Sequence, residues 1–277
     1  MAPAESNKAK IARRVIEVLE FFDEEHPQAT VMDIVRRFDR PQSSTSELLS
    51  SLVDLGVLYK DPVSRSYSPT PRAAMLGSGV QPAIVRDGRL TAMIDRLSAQ
   101  TGLGIGVFGV VGLKAQVYAS RAGKRPVRSV RVAGFCGGQQ EHLSDCAAGW
   151  LLLSTVPQPR RDGMLRRLNA EAAAERKFCF GDMANRIQQA RDAGHAIGQA
   201  GFGSQAEVTA MLLPGLPETQ PLAVGLVYEP SDQIDRPRLL QSLAAALTRC
   251  MNDETPEPAS VQPLFDGWSN KREMKHG

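Results

Sequence analysis

Cysteine is scarce in this chain and poorly placed for cross-linking. Cys136, Cys146, Cys179 and Cys250 are scattered through 277 residues, with no CxxC pair and no Cys/His spacing of the kind that holds a metal. Neither a disulfide framework nor a zinc module is expected, and no cofactor is. Long apolar runs are also missing. Hydrophobic residues make up 42% of the chain and charged residues 23%, yet no stretch of about 18 apolar residues offers a membrane span. The start, Met1-Ala2-Pro3-Ala4-Glu5-Ser6, lacks the basic flank and apolar core of a secretory signal, so the expected location is cytoplasmic. Charge of one sign is lacking as well, the net balance being +3. At this length two modest domains are expected rather than one core.

What is present is a strong local pattern between Thr30 and Tyr67. Thr30-Val31-Met32-Asp33 has the spacing of a capping box, and Val31, Ile34, Val35 and Phe38 supply one apolar helical face. A second helix is expected after Pro41, opening at Ser44-Thr45-Ser46-Glu47, with Leu48, Leu49, Leu52, Val53 and Leu55 as its apolar side and Gly56 as its stop. Val57-Leu58-Tyr59 and Arg65-Ser66-Tyr67 then flank the turn-forming Asp61-Pro62-Val63-Ser64, which predicts a short hairpin. Two helices, a tight turn and a β-ribbon are the parts of a winged helix-turn-helix that lays its second helix in a DNA groove.

Charge distribution bears on that reading. Basic and acidic residues number 10 and 11 over residues 1–78, 20 and 14 over 79–251, and 3 and 5 over 252–277, so the first segment has no net basic footprint. Position compensates, because Glu17, Glu20, Asp23, Glu24 and Glu25 gather late in a helix expected from Lys8 to Glu25. Lys8, Lys10, Arg13, Arg14, Arg36, Arg37, Arg40, Lys60 and Arg65 remain for phosphates. Three parts are expected: 1–78 as the DNA-binding domain with its linker, 79–251 as an α+β domain with a central antiparallel sheet, and 252–277 as a mobile tail. In the second part a helix carries Leu90, Met93, Ile94 and Leu97. Strands follow at 104–111, 115–120, 127–133, 208–213 and 222–228, and helices from Ser144 and over 160–174, 182–193 and 232–251. Gly104-Ile105-Gly106-Val107-Phe108-Gly109 spells GxGxxG inside a strand, where no helix follows to bind a dinucleotide.

In this order the chain to about residue 251 resembles the IclR family of bacterial transcriptional regulators. Asp39 to Gly56 looks like the family's turn and recognition helix, with Glu47 where arginine is common. Leu143-Ser144-Asp145-Cys146-Ala147-Ala148-Gly149-Trp150-Leu151-Leu152-Leu153 resembles the stretch that begins a pocket-lining helix, with Trp150 replacing the usual lysine. The resemblance implies an α+β protein in which a winged helix-turn-helix is joined by a linker helix to a GAF-like effector domain. It further implies a homodimer or homotetramer that binds double-stranded operator DNA and a small organic acid. Candidate DNA contacts are Arg40, Gln42, Ser43, Ser44, Thr45, Ser46, Lys60 and Arg65, with Ser44 equally placed to cap the helix through Glu47. Candidate effector contacts are Cys146, Ala147, Ala148, Gly198, Val208, Leu226 and Tyr228. That lining is drier than in relatives that take two- or three-carbon acids, so an aromatic or apolar carboxylate is expected, controlling a catabolic operon. Two alternatives stand beside this reading: a winged-helix interaction module without DNA, and a GAF-like enzyme using the thiols of Cys136 and Cys146 near His142.

Overall fold

A computed structural model of the chain describes residues 7–23, 26–124, 137–217, 219–231 and 234–252. Its contacts divide into two units, Met1–Gln81 and Pro82–Gly277.

The first unit contains α1 (Asn7–Phe21), α2 (Val31–Phe38), α3 (Gln42–Asp54), β1 (Leu58–Lys60), β2 (Tyr67–Pro69) and α4 (Pro71–Met75). Val18, Ile34, Leu49, Leu52, Leu58 and Tyr67 lie in its core, one residue or pair from each of α1, α2, α3, β1 and β2, the helical ones falling on the apolar stripe that a 3.6-residue period predicts. The capping box at α2 closes both ways. The Thr30 hydroxyl accepts from the Asp33 N–H, and the Asp33 carboxylate accepts from the Thr30 N–H at 2.8 Å, which holds the Asp33 carboxyl below its ordinary range. At the far end of α3, Gly56 adopts φ +70. Its N–H donates to the Val53 carbonyl and that of Val57 to the Leu52 carbonyl, a Schellman stop that a Cβ-bearing residue would strain. The hairpin pairs Leu58 with Pro69 and Lys60 with Tyr67, and Ala29 bridges to Tyr67 on the other side.

In the second unit come α5 (Ala83–Arg86), α6 (Arg89–Thr101), β3 (Gly104–Val111), β4 (Lys114–Arg121), β5 (Gln140–His142), α7 (Ala147–Ser154), α8 (Arg160–Glu171), α9 (Phe180–Ala193), β6 (His195–Gln199), β7 (Glu207–Leu212), β8 (Ala223–Tyr228) and α10 (Arg236–Asn252). The strands form one antiparallel sheet in the order β5-β4-β3-β8-β7-β6. Helices cover both faces. One core cluster joins Phe108, Val208, Ala210 and Val227 to α7, α8 and α9, and the other joins Ile105, Val107, Leu226 and Tyr228 to α6 and α10. Buried on both sides, β8 reads as an unbroken apolar run rather than an alternating one.

Most elements lie within a few residues of their expected bounds, with informative exceptions. α1 ends at Phe21 rather than Glu25, and the Asp23 carboxylate then accepts from the His26 backbone N–H at 2.7 Å. β5 and β6 were not foreseen, because Gln-Glu-His and His-Ala-Ile-Gly-Gln carry neither alternation nor β-branched density. The expected start at Ser144 is a single 3-10 turn, Leu143–Asp145, with α7 beginning at Ala147. The 127–133 strand and the basic positions Arg125, Arg128 and Arg131 lie outside the described residues, as do Cys136 and the tail from residue 253. Among the described residues no helix is long and apolar enough to cross a membrane.

Gly149 sits where α7 presses against the preceding 3-10 turn, and a Cβ there would collide with the Leu143 backbone carbonyl. Gly163 lies inside α8 with nothing within 4 Å of the same atom. Urea unfolding of the full chain should therefore separate them. Gly149→Ala is expected to lose about 1–3 kcal/mol through overpacking, whereas Gly163→Ala should gain about 0.5–1 kcal/mol by removing a mid-helix glycine. Equal effects would contradict the packing described.

Candidate DNA-contacting surface and effector site

The rotation of α3 is set by its buried positions. Thr45, Leu49 and Leu52 are 1%, 0% and 3% exposed and follow one another at i, i+4 and i+7, so one face is sealed in the core. Gln42, Ser43, Glu47 and Ser50 are exposed on the other side, with Ser46 partly so. Thr45 was expected to touch DNA, and the structure corrects this: its hydroxyl donates to the Pro41 carbonyl at 2.9 Å, inside the core. Ser44 is also committed. Its hydroxyl donates to the Pro41 carbonyl at 3.2 Å and accepts from Arg14 at 3.2 Å. The capping box expected with Glu47 does not form, because α3 starts at Gln42 and its N-cap is Pro41, which has no side-chain acceptor. Arg40 is not a free cation, since its Nη2 donates to both Glu17 carboxylate oxygens at 3.0 and 3.1 Å.

The hairpin presents Lys60 and Arg65 as exposed residues. The Lys60 ammonium lies 5.4 Å from the centre of the Tyr67 ring, and Arg65 takes φ +57. The turn between them is organised by Asp61, whose carboxylate accepts from the backbone N–H groups of Ser64 at 3.0 Å and Val63 at 2.7 Å. Those bonds hold the Asp61 carboxyl below its usual range. Val63 stands 90% exposed at the tip, an apolar probe that no charge count would single out.

In the second unit the candidate effector residues divide between two faces. Cys146, Ala147, Ala148 and Val208 are fully buried in the cluster beneath α7. Gly198 of β6 lies against them, a Cβ there falling 2.8 Å from Trp150 Cζ3 and 3.6 Å from Ala147 Cβ. The Trp150 indole thus fills the space between α7 and β6. Its N–H donates to the Ser144 carbonyl at 2.7 Å, and the Arg186 guanidinium lies 4.5 Å from its ring centre. Nearby, Phe202 and Phe108 stack at 5.9 Å.

Leu226 and Tyr228 were expected in the same pocket but lie on the opposite face of the sheet, packed with α6 and α10. Side chains alternate along a strand, and the register pairs Val208 with Val227 but Thr209 with Leu226, which sends Leu226 and Tyr228 the other way. The Tyr228 hydroxyl meets that of Thr209 at 2.9 Å, and burial pushes its pKa up.

The rim beside the start of α7 is closed by charge. The Glu141 carboxylate accepts from the Phe202 N–H at 3.1 Å and from Arg176 at 3.3 Å, and Arg176 also reaches Asp145 at 3.1 Å. Burial pushes the Cys146 thiol up to about 12, so it stays protonated near neutral pH and is not an activated nucleophile. The thiol-enzyme alternative loses that half of its basis, and Cys136 lies outside the described residues.

A second helix locked by its buried face, a wing and a separate sheet domain define a winged helix-turn-helix joined to an α+β domain. Residues 12–62 match the model of the IclR helix-turn-helix domain. The chain is 23% identical over 229 residues, 80% of this chain and 79% of the other, to the HTH-type transcriptional regulator TsaQ1/TsaQ2 of Comamonas testosteroni. Among solved structures it is similar to the IclR transcriptional regulator of Alicyclobacillus acidocaldarius, at 19% identity and TM-score 0.55, covering 90% of this chain and 97% of that one. It is likewise similar to an IclR homolog complexed with 4-hydroxybenzoate from Microbacterium hydrocarbonoxydans, at 17% identity and TM-score 0.55, covering 87% and 97%. Residues 12–62 are thus a helix-turn-helix domain of the IclR type, the solved structures share the fold of the chain, and the curated relative is a transcriptional regulator.

Two outcomes follow. Thr45→Ala should lower stability by about 1–3 kcal/mol, since it strips a buried hydrogen bond and methyl, whereas Gln42→Ala and Ser43→Ala should stay within about 0.5 kcal/mol while weakening duplex binding in a mobility-shift assay. The reverse pattern would mean that α3 is rotated otherwise. Alkylation of the native protein, read by peptide mass, should label exposed Cys179 and spare buried Cys146 and Cys250; rapid labelling of Cys146 would contradict its burial.

Proposed function

We propose that the regulator is gated by an aromatic or otherwise apolar carboxylate effector and controls a catabolic operon from the cytoplasm, as a homodimer or homotetramer on operator DNA. The observation that supports the effector class is the Trp150 indole lodged over Gly198 between α7 and β6. A flat ring already occupies the place, its partners are apolar except for Arg186 over its face and the Ser144 carbonyl that accepts its N–H, and the surrounding Cys146, Ala147, Ala148 and Val208 are buried. For an aromatic acid to enter, the Trp150 indole swings aside; the ligand ring then takes the stacked position, and its carboxylate takes donors from Arg186 and the first turn of α7. Glu141 and Asp145 share one guanidinium, Arg176, at that end, and the surplus carboxylate disfavours a small dianion. The relative crystallised with 4-hydroxybenzoate accords with this class.

Operator contact is assigned to Gln42, Ser43 and Ser46 on the open side of α3, with Lys60 and Arg65 on backbone. Coupling between the two ligands is typically about 1–3 kcal/mol and reciprocal. A thermal-shift screen tests the effector class. Benzoate or 4-hydroxybenzoate at a hundred times its dissociation constant should stabilise the protein by about 2.7 kcal/mol and change Trp150 emission in a Trp268→Phe background. Stabilisation by glyoxylate or pyruvate with no response to aromatic acids would overturn it.

A further inference from the structure

Between α1 and the onset of α3 the first unit contains a groove of about 450 Å³, lined by Lys10, Arg13, Arg14, Arg40, Pro41 and Ser44 together with Ile11. Four of these carry positive charge, Arg40 being paired with Glu17, and among the described residues no carboxylate lines the groove. The groove is also supplied with donors. Pro41 leaves α3 without a side-chain cap, so the first-turn N–H groups of a 13-residue helix face outward at the rim that Pro41 and Ser44 form. Arg40 is held by the Glu17 carboxylate through Nη2, so the charge the groove offers a ligand comes from Lys10, Arg13 and Arg14.

We propose that this groove seats a phosphate of the DNA backbone, with Lys10, Arg13 and Arg14 of α1 supplying the charge and the onset of α3 supplying N–H donors. The assignment rests on the DNA-binding reading and adds to it a sequence-independent anchor, built mainly from α1, at the end of the recognition helix. Arg14 has a second task. By donating to Ser44 it ties the anchor to the helix that carries Gln42 and Ser43, so seating the phosphate fixes the register at which those side chains meet base edges. Lys10 and Arg13 are exposed, and their replacement leaves the core untouched.

Fluorescence anisotropy of the full chain, on a duplex from upstream of its own gene and on a mixed-sequence duplex, tests this across a salt series. Lys10→Gln with Arg13→Gln should weaken both duplexes by the same factor and flatten the slope of log affinity against log salt by about one, for the one phosphate whose seat is lost. Gln42→Ala should instead change the ratio between the duplexes and leave the slope alone. An unchanged slope in the double variant, with its melting temperature intact, would overturn the groove assignment while leaving DNA binding in place. Competition by inorganic phosphate at constant ionic strength would also overturn it, marking a small-anion site instead. A wild-type chain that binds neither duplex would overturn the parent reading as well.

Discussion

The burial of Thr45, Leu49 and Leu52 along one edge of α3 is the constraint on which the first unit depends. Those three positions fix the helix about its own axis, and everything that can be offered to a duplex follows from that rotation. Thr45 is central because it is polar and still sealed: its hydroxyl satisfies the Pro41 carbonyl, stitching the helix onset to the turn before it. With that face closed, Gln42, Ser43, Ser46 and Ser50 are turned outward at helical spacing. They are short side chains able to give and take hydrogen bonds at close range, in a helix whose N-terminal end also carries free backbone donors.

The first unit solves an electrostatic problem by placement rather than by excess. Its carboxylates outnumber its cations by one over residues 1–78, yet Glu17 is turned against Arg40, Asp33 serves the cap of α2 and Asp61 serves the hairpin turn. Each of these acids is spent on local structure. The cations of α1 and the hairpin, by contrast, lie on the surface beside the recognition helix, which is why net charge misjudges this unit.

In the second unit the alternation of strand residues divides what a linear reading joins. β8 is apolar throughout, so nothing in its composition tells which residues face α7 and which face α10. The register does, and it sends Leu226 and Tyr228 away from Val208. The periodic helices, by contrast, were plain in the sequence, because α6 and α10 each bury a single stripe and the capping box of α2 has its own spacing. The onset of α3 was misplaced by two residues, since a proline N-cap leaves no side-chain signature and Ser44 offered a false one. β5 and β6 were invisible for want of alternation, and the place of Trp150 over Gly198 depends on two elements almost fifty residues apart. The departure noted from the resemblance, tryptophan where it implies lysine, is the side chain that fills the space between α7 and β6.

Hydrogen exchange of the full chain, read by mass spectrometry with and without a duplex from upstream of its own gene, tests the central claim directly: that the open face and onset of α3, backed by the start of α1, are where DNA lies. Added duplex is predicted to slow exchange over residues 8–14 and 42–50. Protection absent from both segments, with duplex demonstrably bound, would contradict the account.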